Sequence, residues 1–128
     1  MSKARKPNRR DEWRREQDAC FNPACPASYR RGDLMDVHEC IGGSDRAKTI
    51  EIPAYWIFVC RTCHDTLPSR PNRDQLIQQL AWKKWGDPEN YDPTAVIMMW
   101  RPNGTLELMK EIVAAVNATY AAIVSEYA

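Results

Sequence analysis

The chain has 128 residues, with 18 basic and 17 acidic side chains, and 44% of it is apolar. That balance excludes a disordered chain and fits one compact domain with appendages. No run approaches the roughly 18 consecutive apolar residues of a membrane span, and no apolar core follows the basic N-terminus, so neither a membrane segment nor a secretory signal is expected.

Residues 1–17 form the first segment and hold an uneven share of the charge. Arg5, Arg9, Arg10, Arg14 and Arg15, with Lys3 and Lys6, face only Asp11, Glu12 and Glu16. Such an arm can attract nucleic-acid phosphates by releasing counterions, or it can be a solvated, frayed terminus. A short helix is possible from Asp11 to Asp18, with Trp13 as its one large apolar residue.

The second segment, residues 18–70, holds every cysteine and both histidines. Leu34-Met35-Asp36-Val37-His38 alternates as a short strand does, and Gly42-Gly43-Ser44-Asp45 is a loop by composition. Tyr55-Trp56-Ile57-Phe58-Val59 is a continuous apolar run that reads as a buried strand leading into Cys60, although Pro53 could also open a helix. A helix from Arg61 to about Leu67 is then stopped by Pro68 and Pro71.

The third segment, residues 71–128, is helical. Asn72 can cap a helix running through Trp85, stopped by Gly86 and Pro88. Asp92-Pro93 opens a helix to Trp100, and Pro102-Asn103-Gly104 is a turn. From Thr105 onward, Leu106, Met109, Val113, Val116, Tyr120, Ile123 and Tyr127 recur at steps of three and four. This narrow seam suits packing on the chain's own helices better than a dimer, because three heptads make a short coiled coil. Trp82, Trp85 and Trp100 sit at helical spacing among apolar residues, as core residues do. A monomer is therefore favoured.

The cysteines carry the most specific signal. Cys20 and Cys25 lie on a loop with Pro23, and Cys60 and Cys63 are separated by two residues. In a reducing, cytoplasmic setting, paired cysteines mean metal more often than disulfide. Zinc takes four thiolates in a tetrahedron, and two close pairs far apart in sequence can tie a hairpin together around it. Cys40 is left over, as a core thiol or a substitute ligand. Cys60-Arg61-Thr62-Cys63-His64 also matches the c-type haem attachment pattern, but that chemistry belongs to exported chains and would leave Cys20 and Cys25 without a role.

These residues resemble the zinc-bearing HNH endonucleases, especially small phage-type members. The likeness runs through Cys20-x4-Cys25, Asp36-Val37-His38-Glu39-Cys40-Ile41-Gly42-Gly43 and Phe58-Val59-Cys60-Arg61-Thr62-Cys63-His64-Asp65, and covers residues 18–67. It implies an α+β fold with a zinc-stapled ββα-metal core and a helical C-terminal extension. It also implies a catalytic divalent cation such as Mg²⁺, and DNA as substrate. His38 falls where the family places a metal-binding Asp or His, Glu39 on the general-base His, and His64 on the final metal-facing His. The family's central Asn would lie near Tyr55, and no Asn is there. Either His38 binds metal and Glu39 is the base, or His38 is the base and carboxylates bind metal. Arg46, beyond the glycines, could grip phosphate or form a surface ion pair. The rival expectation is a non-catalytic zinc module that binds nucleic acid or a protein.

Overall fold

A computed structural model describes residues 9–41, 51–100 and 104–128. Arg46 and the Gly42–Asp45 loop lie outside the described residues, as do Pro102 and Asn103. The chain is α+β. It runs α1 (Arg9–Arg15), β1 (Met35–Glu39), a 3-10 turn at Pro53–Tyr55, β2 (Trp56–Cys60), α2 (Arg61–Asp65), α3 (Arg73–Gly86), a second 3-10 turn at Pro88–Asn90, α4 (Pro93–Trp100) and α5 (Leu106–Tyr127).

Strands β1 and β2 pair antiparallel, with Met35 opposite Cys60 and Glu39 opposite Trp56. Every residue of β2 is buried. That follows from its composition, since five apolar side chains in a row can lose water only if both strand faces are covered. On one side lie α1 and the first cysteine loop: Trp13 packs on Trp56 with ring centroids 5.6 Å apart, and Phe21 on Phe58 at 6.5 Å. On the other lie α3 and α4, which bring in Leu76, Leu80, Val96 and Ile97, all with no exposed surface. Burying a side chain of this size contributes roughly 1.5–3 kcal/mol. Pro53 opens only the 3-10 turn, after which Trp56 is already extended.

The short helix expected from Asp11 forms as α1, starting at Arg9, and it is docked on the fold. Trp13 is 4% exposed, and its indole N–H donates to Asp87 Oδ2 at 2.7 Å. Two arginines one helical turn apart then reach the open edge of β1. Arg10 donates to Val37 O at 3.0 Å and Arg14 to Met35 O at 3.1 Å. Both carbonyls point away from β2 and would otherwise have only water.

Helix α3 starts as its sequence indicates. Asn72 Oδ1 accepts from Gln75 N–H and Gln75 Oε1 from Asn72 N–H, both at 2.9 Å, the reciprocal capping box. It ends at Gly86, where a Cβ would overlap the Phe21 ring, so glycine lets the helical extension close onto the cysteine loop. Helix α5 lies chiefly against α3 and also against α4. By length and composition it is apolar enough to cross a membrane, with 11% of its apolar window buried. Its buried residues are Ile112, Val116 and Ile123. The middle of the expected seam is the packed one: Val116 and Ile123 are buried and Met109 and Val113 partly so, while its ends Leu106 and Tyr127 are exposed and Ile112, absent from the heptad reading, is fully buried.

Candidate metal centre and the cleft beside it

The sulfurs of Cys20, Cys25, Cys60 and Cys63 all lie within 4.8 Å of one another. Four sulfurs about 2.3 Å from one zinc ion would be roughly 3.8 Å apart, and Cys25 Sγ to Cys60 Sγ is 3.7 Å. The donor set and its spacing fit a structural metal such as zinc. Local structure explains how the cluster forms. Cys25 N–H donates to Asn22 O at 3.0 Å and Ala24 N–H to Asn22 Oδ1 at 3.0 Å, closing a tight turn around Pro23. Cys60 ends β2 and caps α2, its sulfur accepting from Cys63 N–H at 3.4 Å.

Further N–H groups converge on the sulfurs. Cys60 N–H donates to Cys20 Sγ, and Asn22 Nδ2 to Cys63 Sγ, each at 3.4 Å. Burial pushes the Cys20 thiol up to about 12, and the neighbouring Cys63 and Cys25 add to it. Burial likewise raises Cys63. At Cys60 burial is outweighed by hydrogen bonds, first from the Cys63 N–H, and the thiol is held below its ordinary value. Crowded thiols facing aligned donors are what a bound cation would convert to thiolates. Cys40 takes no part: it is fully buried, and burial pushes its thiol up to about 12.

A second cluster lies on the face of β1 that α3 partly covers. Alternation along the strand puts Asp36 and His38 on one face and Glu39 on the other. His64 Nδ1 is 3.1 Å from Asp36 Oδ2, and the His38 and His64 rings stand edge to face with centroids 5.1 Å apart. His64 thus turns toward β1, and the group beside Cys63 is Asn22. His38 is 5% exposed, with Nε2 3.1 Å from Gln79 Oε1 of α3. Burial first, then the charges of His64 and Arg10, outweigh the Gln79 bond and pull His38 down to about 4. The Arg61 guanidinium holds the Asp36 carboxyl below its usual range, with His64 adding to the effect and burial opposing it.

His38 and Glu39 do not meet in one site. Glu39 Oε1 is bound by Arg10 Nη1 at 2.6 Å on the α1 side of the strand. Among the described residues, the four cysteines are the one group of three or more His, Cys, Asp or Glu side chains whose donor atoms converge. Asp36 and His64 pair with each other, with His38 against the His64 ring. That pair borders an open cleft of about 460 Å³ lined also by Arg10, Asp11, Arg14, Arg61 and Asp65. Of the arginines expected on phosphate, Arg10 and Arg14 are committed to β1, while Arg9 and Arg15 are exposed. Sequence reading missed Asp36, Gln79, Asn22 and Arg61 as site residues. Asp36 had a signal, being two residues before His38 and so on the same strand face; Gln79 had none.

Comparison with protein-family models, with curated proteins and with solved structures found no match to this chain.

Proposed function

We propose that the chain is a zinc-stapled ββα module of HNH type that hydrolyses phosphodiester bonds in DNA, with Asp36 and His64 holding a divalent cation and His38 positioning His64. The observation that carries this reading is the Asp36–His64 pair, 3.1 Å apart and facing a cleft where Arg10, Arg14 and Arg61 stand beside Asp11 and Asp65. Two adjacent ligands on one cation, each about 2.1–2.4 Å from it, are themselves roughly 3 Å apart. The order hairpin then helix, with His64 directly after the cysteine ligand Cys63, agrees with the resemblance. A cation bound there would neutralise charge developing on the scissile phosphate.

The protein's own residues supply the rest. Arg61 keeps Asp36 ionised and, being largely exposed, can also reach a phosphate oxygen. His38 stays uncharged at neutral pH and, held by Gln79, packs against the His64 ring. Glu39 is no base in this arrangement; it fixes Arg10, which in turn holds α1 on β1.

The test is cleavage of plasmid and single-stranded DNA with Mg²⁺ or Mn²⁺, alongside zinc content. His64→Ala and Asp36→Asn are each expected to lower the rate by about 10² or more while zinc stays bound. If His64→Ala releases zinc, His64 belongs to the cysteine centre and the assignment is wrong. The second reading, a non-catalytic zinc module, is favoured by the burial of His38 and the Arg10–Glu39 pair. It replaces the first if zinc-loaded, folded protein cleaves no DNA with either cation.

A further inference from the structure

Between Ser28 and Asp33 the chain closes a turn whose backbone is fixed from two sides. Gly32 N–H donates to Tyr29 O at 2.9 Å and Asp33 N–H to Ser28 O at 3.2 Å. Ser28 N–H donates to Asp33 Oδ2 at 3.0 Å, and Arg31 N–H to Ser28 Oγ at 3.1 Å. Asp18 holds the outer side, its backbone O accepting from Tyr29 N–H and its Oδ1 from Arg30 N–H, each at 2.8 Å. Gly32, at φ +89°, takes the left-handed conformation that closes the loop.

A turn braced this well nevertheless leaves its largest apolar groups in water. Tyr29 is 70% and Leu34 65% exposed, the highest values among the large hydrophobic side chains described. Beside them the Arg30 and Arg31 side chains are 89% and 59% exposed. Their contacts with Asp18 at 3.8 Å and Asp33 at 3.3 Å are exposed ion pairs, which give way to a phosphate at little cost.

The surroundings continue the same chemistry. Tyr29 forms one wall of a cleft of about 350 Å³ with Arg14, Arg15 and Gln17, and with Asp11 as its one acidic group. Leu34 and Arg31 border another of about 550 Å³ that includes Arg61 and Asp33. Arg14 and Arg61 are also walls of the His64 cleft, so the three depressions adjoin. Rigidly presented aromatic and apolar groups, interleaved with guanidiniums that do not converge on a pocket, suit a ligand with flat faces and regularly spaced negative charges.

We propose that the Ser28–Leu34 turn binds single-stranded nucleic acid, with Tyr29 stacked on a base and Arg30 and Arg31 on flanking phosphates. This rests on the nucleic-acid part of the reading above and not on its hydrolytic part. Because the turn is already ordered, binding loses little entropy there.

The test is fluorescence anisotropy of a fluorescein-labelled oligo-dT with the full-length, zinc-loaded protein, without added divalent cation, at several salt concentrations. Tyr29→Ala is expected to weaken binding about 5- to 150-fold, the range for one stacked base, and Tyr29→Phe to bind like the parent. Arg30→Gln with Arg31→Gln should flatten the slope of log affinity against log salt by about 1.4, two phosphates' worth on a single strand. Circular dichroism and zinc content check that these surface variants stay folded. Parent-like binding by Tyr29→Ala overturns the proposal, as does binding of duplex in preference to oligo-dT, or no nucleic-acid binding by the parent. Tyr29-dependent binding by a protein that cleaves nothing supports it and removes the nuclease reading alone.

Discussion

Asp87 is the residue on which α1 and the end of α3 meet. Its carboxylate accepts from Trp13 Nε1 at 2.7 Å, from the fully buried Lys83 Nζ at 3.0 Å, and from Asn90. Lys83 also donates to Pro53 O at 2.7 Å and stands over the Trp13 ring. Removing the carboxylate strands a buried ammonium, so Asp87→Asn is expected to destabilise the fold by about 3–5 kcal/mol. Burial alone would raise Asp87, but the bonds from Trp13, Asn90 and Lys83 outweigh it and hold its carboxyl below the ordinary 3.8. A carboxyl depressed on folding stabilises above its unfolded value, and that contribution is lost as pH falls through the folded one. Thermal melts below pH 4 should therefore fall more steeply for the parent than for Asp87→Asn; equal slopes would contradict this. The Lys83–Asp87 pair is local, four positions apart, but its closure by Trp13 is not legible in sequence, because Trp13 and Asp87 are 74 positions apart. The cysteine pairs were legible because metal-ligand spacing is a local property of the chain.

At the scale of elements, local chemistry predicted starts and stops better than faces. The Asn72 cap, Pro93 and the Thr105 cap all mark helices that form, and Thr105 Oγ1 accepts from Leu108 N–H at 3.1 Å. The heptad spacing gave the middle of the buried side of α5, Val116 and Ile123, but Ile112 joins it and Leu106 leaves it because of where α3 and α4 lie. Substitution at those two positions tests this. Ile112→Ala should cost about 2–5 kcal/mol in urea unfolding, the range for truncating a buried aliphatic, and Leu106→Ala well under 1. The reverse order would contradict this packing. Helix α1 forms near the place expected, but its docking on β1 was not legible, for a related reason. Seven arginines and lysines among residues 1–16 look solvated in sequence, yet two of the arginines serve the bare carbonyls of β1, whose edge exists only after the hairpin forms.

Over the whole molecule, the hairpin and α2 are held at one end by the four sulfurs and covered elsewhere by helices that come later in the chain. The α+β class, the two strands and the cysteine cluster were all readable from composition and spacing. The Asp36, His38 and Gln79 arrangement was not, since Gln79 reaches the site only through the packing of α3 on β2. A two-stranded sheet is marginal by itself, so the cluster and the helical cover must both contribute. Structural zinc contributes on the order of 10 kcal/mol or more in small domains. The most direct measurement is therefore elemental analysis paired with thermal melting of the parent and Cys63→Ser. One zinc per chain in the parent, with metal and cooperative melting both lost in Cys63→Ser, is the predicted result; a metal-free parent, or a variant that melts like it, would contradict the account.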